Sequence, residues 1–236
     1  MRLFLGVISR LAVQEDRGNY KLRKEKNSIY RKYIKRGLDF SISLIGLVLF
    51  WWVFVIVAVL VKIKLGSPVL YSVNRPGLDG KLFRLYKFRS MTNERDSNGN
   101  LLPEKERTSH FGSVLRSTSL DEIPEIFINV IRGDMSLIGP RPLAESYLPY
   151  YTKEEMHRHD VLPGITGLAQ IKGRNHLQWE ERFALDLRYV ENLSFRLDAY
   201  IFLQTILKVI KRSDVADATV AMEMDFSTYR ESQWKH

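Results

Sequence analysis

Asp121 and Glu122 are the side chains in this sequence best placed to do chemistry. They stand together in Ser119-Leu120-Asp121-Glu122-Ile123-Pro124, and Pro124 is tolerated only in the first turn of a helix, so the pair opens one. Helical neighbours point about 100° apart, so one carboxylate can attack a phosphorus while the other holds a metal. A purely structural account also exists. Ser119 and Glu122 have capping-box spacing, and acids suit a helix N-terminus. The two accounts are compatible, because a helix start fixes both carboxylates in direction.

Arg141 stands in the run Gly133-Asp134-Met135-Ser136-Leu137-Ile138-Gly139-Pro140-Arg141-Pro142. Proline on both sides fixes its backbone, and a guanidinium suits bidentate contact with phosphate. A stiff solvent-exposed turn is the plainer account. Lys87-Phe88-Arg89 ends a β-prone run and offers either more phosphate-binding charge or a solvated strand edge. Pro163-Gly164-Ile165-Thr166-Gly167 is a turn whose backbone N–H groups come close to something, a substrate or another loop. Asp186 lies mid-helix with no role on local grounds. His157 and His159 lack metal-ligand spacing and read as surface residues. Without any cysteine, disulfides, thiol nucleophiles and Cys-based metal sites are excluded.

The elements that must position these groups begin with a membrane segment. Phe40–Val61 is a run of 22 uncharged residues interrupted only by Ser41, Ser43 and Gly46 among bulky apolar ones. At helical rise it covers roughly 30 Å, the hydrocarbon thickness of a bilayer. It is apolar on all sides, unlike a soluble core helix, and starts too far into the chain for a signal peptide. Residues 21–36 carry eight Lys/Arg against Glu25, and residues 62–89 carry seven against Asp79. The positive-inside tendency places both flanks in the cytoplasm, which favours a helix that re-enters. No Pro or Gly stands mid-run to break it; the bend would fall at Phe50-Trp51-Trp52.

Beyond the membrane segment, Val69–Val73 and Leu82–Phe88 read as a hairpin around Pro76-Gly77 and Asp79-Gly80. Helical patterns follow around 104–116, 120–132, 143–158 and 177–192. Phe195–Lys211 is strongly apolar, suited to a core or to the headgroup layer. The tail from Ser213 is acidic and is expected to be loosely ordered. The net charge of +9 calls for an anionic partner without choosing among nucleic acid, anionic lipid and phosphorylated small molecules.

Together these pieces resemble the bacterial sugar transferase family, the monotopic phosphoglycosyl transferases. The resemblance rests on Lys35-Arg36-Gly37-Leu38-Asp39-Phe40, Asn74-Arg75-Pro76-Gly77, Lys87-Phe88-Arg89-Ser90-Met91 and Arg116. Ser119 to Glu122, Gly133 to Pro142, Pro163 to Gly167 and Gly173-Arg174-Asn175 complete the series, which runs from about Lys32 to Ser213 in the family's order. It is closest to the minimal type that includes the bacillosamine-phosphate transferase. The resemblance implies an α+β fold, predominantly α-helical, with a re-entrant membrane helix at 37–64. A basic extension (1–36) precedes it, and a cytoplasmic catalytic domain (65–212) with a small hairpin and the acidic tail (213–236) follow.

It also implies the transfer of a sugar 1-phosphate from a UDP-sugar to polyprenyl (undecaprenyl) phosphate, with release of UMP and a requirement for Mg2+. By resemblance, Asp121 is the nucleophile, Glu122 the Mg2+ ligand and Arg141 the phosphate clamp. Lys87, Arg116 and Asp186 match positions associated with the active site. The implied partners are the donor, the lipid acceptor and membrane lipids at the bacterial inner membrane, not nucleic acid, and a homodimer is left open. Departures are Trp51-Trp52 where the family has a Ser-Pro breaker, one extra residue between Asp121 and Asn129, and Leu168 and Lys172 for the usual Trp and Asn. A tethered basic scaffold without catalysis is the competing reading; it accounts for the charge but leaves Asp121-Glu122 as coincidence.

Overall fold

The computed structural model describes residues 29–173, 177–211 and 224–234. Residues 1–28 of the basic extension and Arg174-Asn175 of the Gly173-Arg174-Asn175 run lie outside the described residues.

A π-helical turn, Tyr30–Ile34, leads into α1, Lys35–Leu65, which is α-helical without interruption. No break falls at Phe50-Trp51-Trp52, where the Trp52 indole donates to Leu49 O at 3.0 Å; the segment has neither the proline nor the glycine pair that a kink requires. Gly66 ends the helix with φ +80°, and Arg89 caps it by donating to the carbonyls of Leu65 and Ser67. Arg89 is therefore a helix-terminal cation.

The helix is held by the rest of the chain along one stripe. Lys35, Asp39, Ser43, Val57 and Val61 are buried on it, and Gly46 and Phe54 meet Phe127 from the same side. Near its start, the Lys35 ammonium and the hydroxyls of Tyr30 and Tyr189 converge on buried Asp198, and Arg36 donates to Val130 O and Ile131 O. Leu137 N donates to Asp39 at 3.1 Å. Near its end, Val57 and Val61 pack with Phe88 and Leu115. Lys35 to Val61 is about 39 Å of helix. The opposite side, including Ile45, Val48, Leu49, Trp51, Ile56 and Ile63, is exposed and apolar.

Strands β1 (Leu70–Pro76) and β2 (Leu82–Phe88) form the expected antiparallel hairpin, Leu70 opposite Phe88 and Pro76 opposite Leu82. Successive β2 side chains alternate faces. Phe88 packs on α1, whereas Leu85 packs with Val130 and Met135, and Lys87, two residues on, shares Leu85's side. A second, parallel pair joins β3 (Ser136–Ile138) to β4 (Gly164–Thr166). Around these lie α2 (His110–Ser117), α3 (Leu168–Lys172), α4 (Trp179–Glu191) and α5 (Phe195–Lys211). Ser109 caps α2 by accepting from Gly112 N. The fold is α+β and mostly helical, as the sequence indicates.

Three local expectations change. The helical pattern at 143–158 is two 3₁₀ runs, Glu145–Tyr150 and Glu155–Asp160, because Pro149 and the extended backbone at Tyr151 prevent a continuous helix. The stretch after Pro124 is π-helical from Glu125 to Val130. Asn129 on this run faces β2, donating to Arg84 O and accepting from Tyr86 N. The tail is not loose at its end: α6, Phe226–Trp234, is a helix anchored by Phe226, which is fully buried among Trp179, Phe183, Tyr147 and Tyr151.

Candidate active site

Asp121 and Glu122 sit on a single 3₁₀ turn, Leu120–Glu122, between α2 and the π-helical run. Ser119, just before it, has φ 55° and ψ 19°, a left-handed conformation unusual for a non-glycine residue. Its hydroxyl makes no capping bond, so the capping-box account of this sequence is not realised. The strained residue instead turns the chain so that both carboxylates face the end of β2. Lys87 reaches across from β2, its Nζ 2.9 Å from Oε1 of Glu122 and 2.9 Å from Oε1 of Glu125. Arg141 closes the group from the other side, 2.7 Å from the same Glu122 oxygen. Asp121 is 8% exposed and lies in the field of Lys87, Glu122 and Arg116. Arg116 is steadied by a 3.0 Å bond from Nε to Ser90 Oγ.

The Arg141 turn is braced from behind. Gly139 N donates to Thr166 O and Gly164 N to Pro140 O, at 2.8 and 2.9 Å. A Cβ on Gly139, Gly164 or Gly167 would collide with the facing backbone, so the close partner of the Pro163–Gly167 turn is the Arg141 loop. Asp186 does not join the carboxylate cluster. It is locked in an ion pair with Arg158, both side chains 2% exposed, and Arg158 also donates to Arg141 O at 2.8 Å. The sequence offered no hint of Arg158, which lies in a 3₁₀ run. His159, expected at the surface, is 5% exposed and packs edge-on against Tyr151, 5.6 Å between ring centres. Burial there pushes its imidazole down to about 4.

In front of this cluster lies a cavity of about 250 Å³ lined by Arg75, Lys87, Glu125, Arg141, Tyr147 and Trp179. Arg75 and Ala144 also border a larger, open groove of about 570 Å³. Three cations on the lining of the smaller cavity, Arg75, Lys87 and Arg141, two of them paired with Glu122, suit a ligand with more than one phosphate.

The family model described as bacterial sugar transferase matches residues 30–212, which include every residue of this cluster. The chain belongs to that family. The uncharacterized sugar transferase EpsL of Bacillus subtilis is 49% identical over 177 residues, covering 75% of this chain and 87% of its own. The UDP-glucose:undecaprenyl-phosphate glucose-1-phosphate transferase of Klebsiella pneumoniae is 40% identical, covering 74% of this chain and 39% of its own. A UDP-N-acetylgalactosamine-undecaprenyl-phosphate N-acetylgalactosaminephosphotransferase of Aeromonas hydrophila is 36% identical, covering 75% of this chain and 44% of its own. The chain thus spans less than half the length of those two relatives. It is a transferase enzyme.

Within this sugar transferase, burial raises the Asp121 and Glu125 carboxyls above their ordinary range. Burial works the same way on Glu122, but Arg141 and then Lys87 outweigh it and hold that carboxyl down to about 2. Glu122 is therefore ionised throughout the physiological range. Its stabilising pairs are complete above its ordinary 4.5 and are lost as pH falls toward about 2. Glu122→Gln is expected to remove that part of the acid sensitivity. Urea unfolding of the detergent-solubilised protein, compared with wild type between about pH 4.5 and 2, measures it. Parallel pH curves for the two proteins would contradict the pairing.

Among the described residues, no three His, Asp or Glu side chains gather to hold a metal unaided. Magnesium asks less, taking one or two carboxylates and completing its shell with water and substrate phosphate. The ionised Glu122, next to cations suited to those phosphates, fits that mode. Arg75, Glu125, Tyr147 and Trp179 are lining residues the sequence did not single out for a role, and for Arg75 a signal was present. The signal was the place of Arg75 in Asn74-Arg75-Pro76-Gly77, at the end of β1 across from Phe83 of β2.

Proposed function

We propose that this transferase moves a sugar 1-phosphate from a UDP-sugar to polyprenyl phosphate of the undecaprenyl kind, releasing UMP. The observation that carries the reading is a buried carboxylate, Asp121, set beside an ionised one, Glu122, that two cations hold. The names of the Klebsiella and Aeromonas relatives support the donor and acceptor classes.

In the first step a carboxylate oxygen of Asp121 forms a bond to the phosphorus that bears the sugar. The bond from that phosphorus to the bridging oxygen breaks, and UMP leaves with the electron pair. In the second step an oxygen of the lipid phosphate attacks the same phosphorus, and the Asp121–phosphorus bond breaks to restore the carboxylate. Splitting the reaction in this way spares a soluble donor and a lipid acceptor from meeting at once. Weak hydration of the buried Asp121 makes its oxygen a better nucleophile. Lys87, Arg75 and Arg141 bind and orient the phosphates, and Arg116 adds positive charge near Asp121. Mg2+, held by Glu122, supplies Lewis-acid stabilisation of phosphate charge when bound. Asp186 and Arg158 act on the site through Arg141.

The test is UMP release by purified protein from a panel of UDP-sugars, with Mg2+ and polyprenyl phosphate present. At least one donor is expected to give UMP and a lipid-linked diphosphate sugar. No UMP from any donor would sink the reading.

We also propose that both flanks of α1 lie on the cytoplasmic face, with the exposed side of the helix in the lipid of that leaflet. The support is that one domain grips the helix near both of its ends, from Asp198 at Lys35 to Phe88 at Val61. A helix crossing a bilayer would carry those ends to opposite faces. Because the chain has no cysteine, Tyr33→Cys and Tyr71→Cys can each be labelled cleanly in right-side-out and inverted vesicles. Both are expected to react only from the cytoplasmic side; reaction from opposite sides would rule the arrangement out.

A further inference from the structure

The family match ends at residue 212, yet α6, which lies beyond it, packs against two residues that line the cationic cavity. Two of the cavity's walls are aromatic, Tyr147 and Trp179, packed edge to face with ring centres 5.7 Å apart. Each is fixed from behind by α6 or the residues just before it. Phe226 packs on both rings, at 5.4 Å from Tyr147 and 5.1 Å from Trp179. The Tyr147 hydroxyl donates to Asp225, and the Trp179 indole donates to Met224 O at 2.9 Å. Side-chain bonds from Tyr150 to Glu231, Tyr229 to Glu180 and Arg230 to Glu155 pin the helix in place.

Both polar tips thus point at α6 and are occupied. Trp179 is 5% exposed, with the Phe183 ring stacked on it and the Arg182 guanidinium 4.4 Å from its centre, so it backs the wall. Half-buried Tyr147 is the ring left to the cavity, able to hold a flat ring by stacking without reading its hydrogen-bonding edge. Arg75, Lys87 and Arg141 stand across the same cavity. A ligand that presents phosphate at one end and a planar ring at the other matches both walls. A bare sugar phosphate satisfies only the cationic one.

We propose that α6 is a clasp that sets Tyr147, backed by Trp179, as the stacking wall for the base of the nucleotide donor. This rests on the proposed use of a UDP-sugar. The clasp residues touch no substrate; they position the ring that does.

The experiment uses the full chain in detergent and calorimetric titration with UMP and with ribose 5-phosphate, which keeps the phosphate and lacks the base. Wild type is expected to prefer UMP by about tenfold, the scale of one stacked base. Phe226→Ala and the milder surface change Asp225→Ala should erase most of that preference while leaving ribose 5-phosphate binding within about twofold. In turnover, both should raise KM for the UDP-sugar with kcat nearly unchanged, and Asp225→Asn, which keeps an acceptor for Tyr147, should restore it. A helix that merely stabilises the fold would lower the melting temperature without altering the UMP to ribose 5-phosphate ratio. A wild-type preference that survives in both variants, or no preference in a wild type that turns over UDP-sugar, overturns the clasp and leaves the transferase reading standing. A wild type that neither binds UMP nor releases it removes both.

Discussion

Asp121→Asn is expected to cut UMP release by about a thousandfold or more and to abolish the covalent adduct. Asparagine matches aspartate in shape but brings a neutral amide to the phosphorus, and removal of a nucleophile ranks among the most severe single changes an enzyme can suffer. The change is also gentle on the fold, because burial already works against the charged form of Asp121. Wild-type protein incubated with donor and Mg2+ but without the lipid should gain the mass of one phosphosugar on Asp121. The variant should gain none and unfold at a similar or higher temperature. Turnover that persists undiminished would show that the phosphoryl group never rests on this residue.

The second large effect concerns a residue that does not face the cavity. Asp186→Ala leaves the Arg158 guanidinium buried without its counter-ion, a loss of about 3–5 kcal/mol of stability. Replacing both partners, Arg158→Met with Asp186→Leu, should recover most of that, because two apolar side chains carry no desolvation cost. Activity should not recover in parallel. Arg158 also donates to Arg141 O, so the double variant frees the backbone of the turn that presents Arg141 to Glu122. Unfolding by denaturant and kcat/KM, measured on the three proteins, separate the two contributions. Recovery of both together would mean that the pair serves packing alone.

Much of the cluster was legible because its residues stand in short rigid runs. Lys87 ends a strand, Arg141 stands between prolines, and Asp121-Glu122 precede Pro124. Each motif fixed its own backbone locally, and the structure brings Lys87, Glu122 and Arg141 into one group. The residues that support them were hidden because their partners are distant in sequence. Arg158 meets Asp186 28 positions away, and Trp179 meets Met224 45 positions away. Nothing in the neighbourhood of either announces such a meeting. The role of Arg89 was hidden differently, since a cation after a strand looks the same whether it faces phosphate or a helix end. Helix α1 read as apolar on all sides because packing against protein and facing lipid both select bulky apolar side chains. The covered stripe is betrayed by Lys35, Asp39, Ser43 and Gly46, its small or polar residues.

That stripe divides α1 into two surfaces under different constraints. In the proposed placement the outward face meets lipid tails, which impose no shape, so exchanges among leucine, isoleucine, valine and phenylalanine at Ile45, Val48, Leu49 or Ile56 should be silent, provided hydrophobicity is kept. Gly46 has no such latitude. A Cβ there already meets Phe127 at 3.8 Å, and a leucine would wedge the helix off the π-helical run that follows Pro124. The outward face can drift through generations of relatives while the inward one stays fitted. Variation along α1 should therefore follow a period of 3.6 residues even though its hydrophobicity does not.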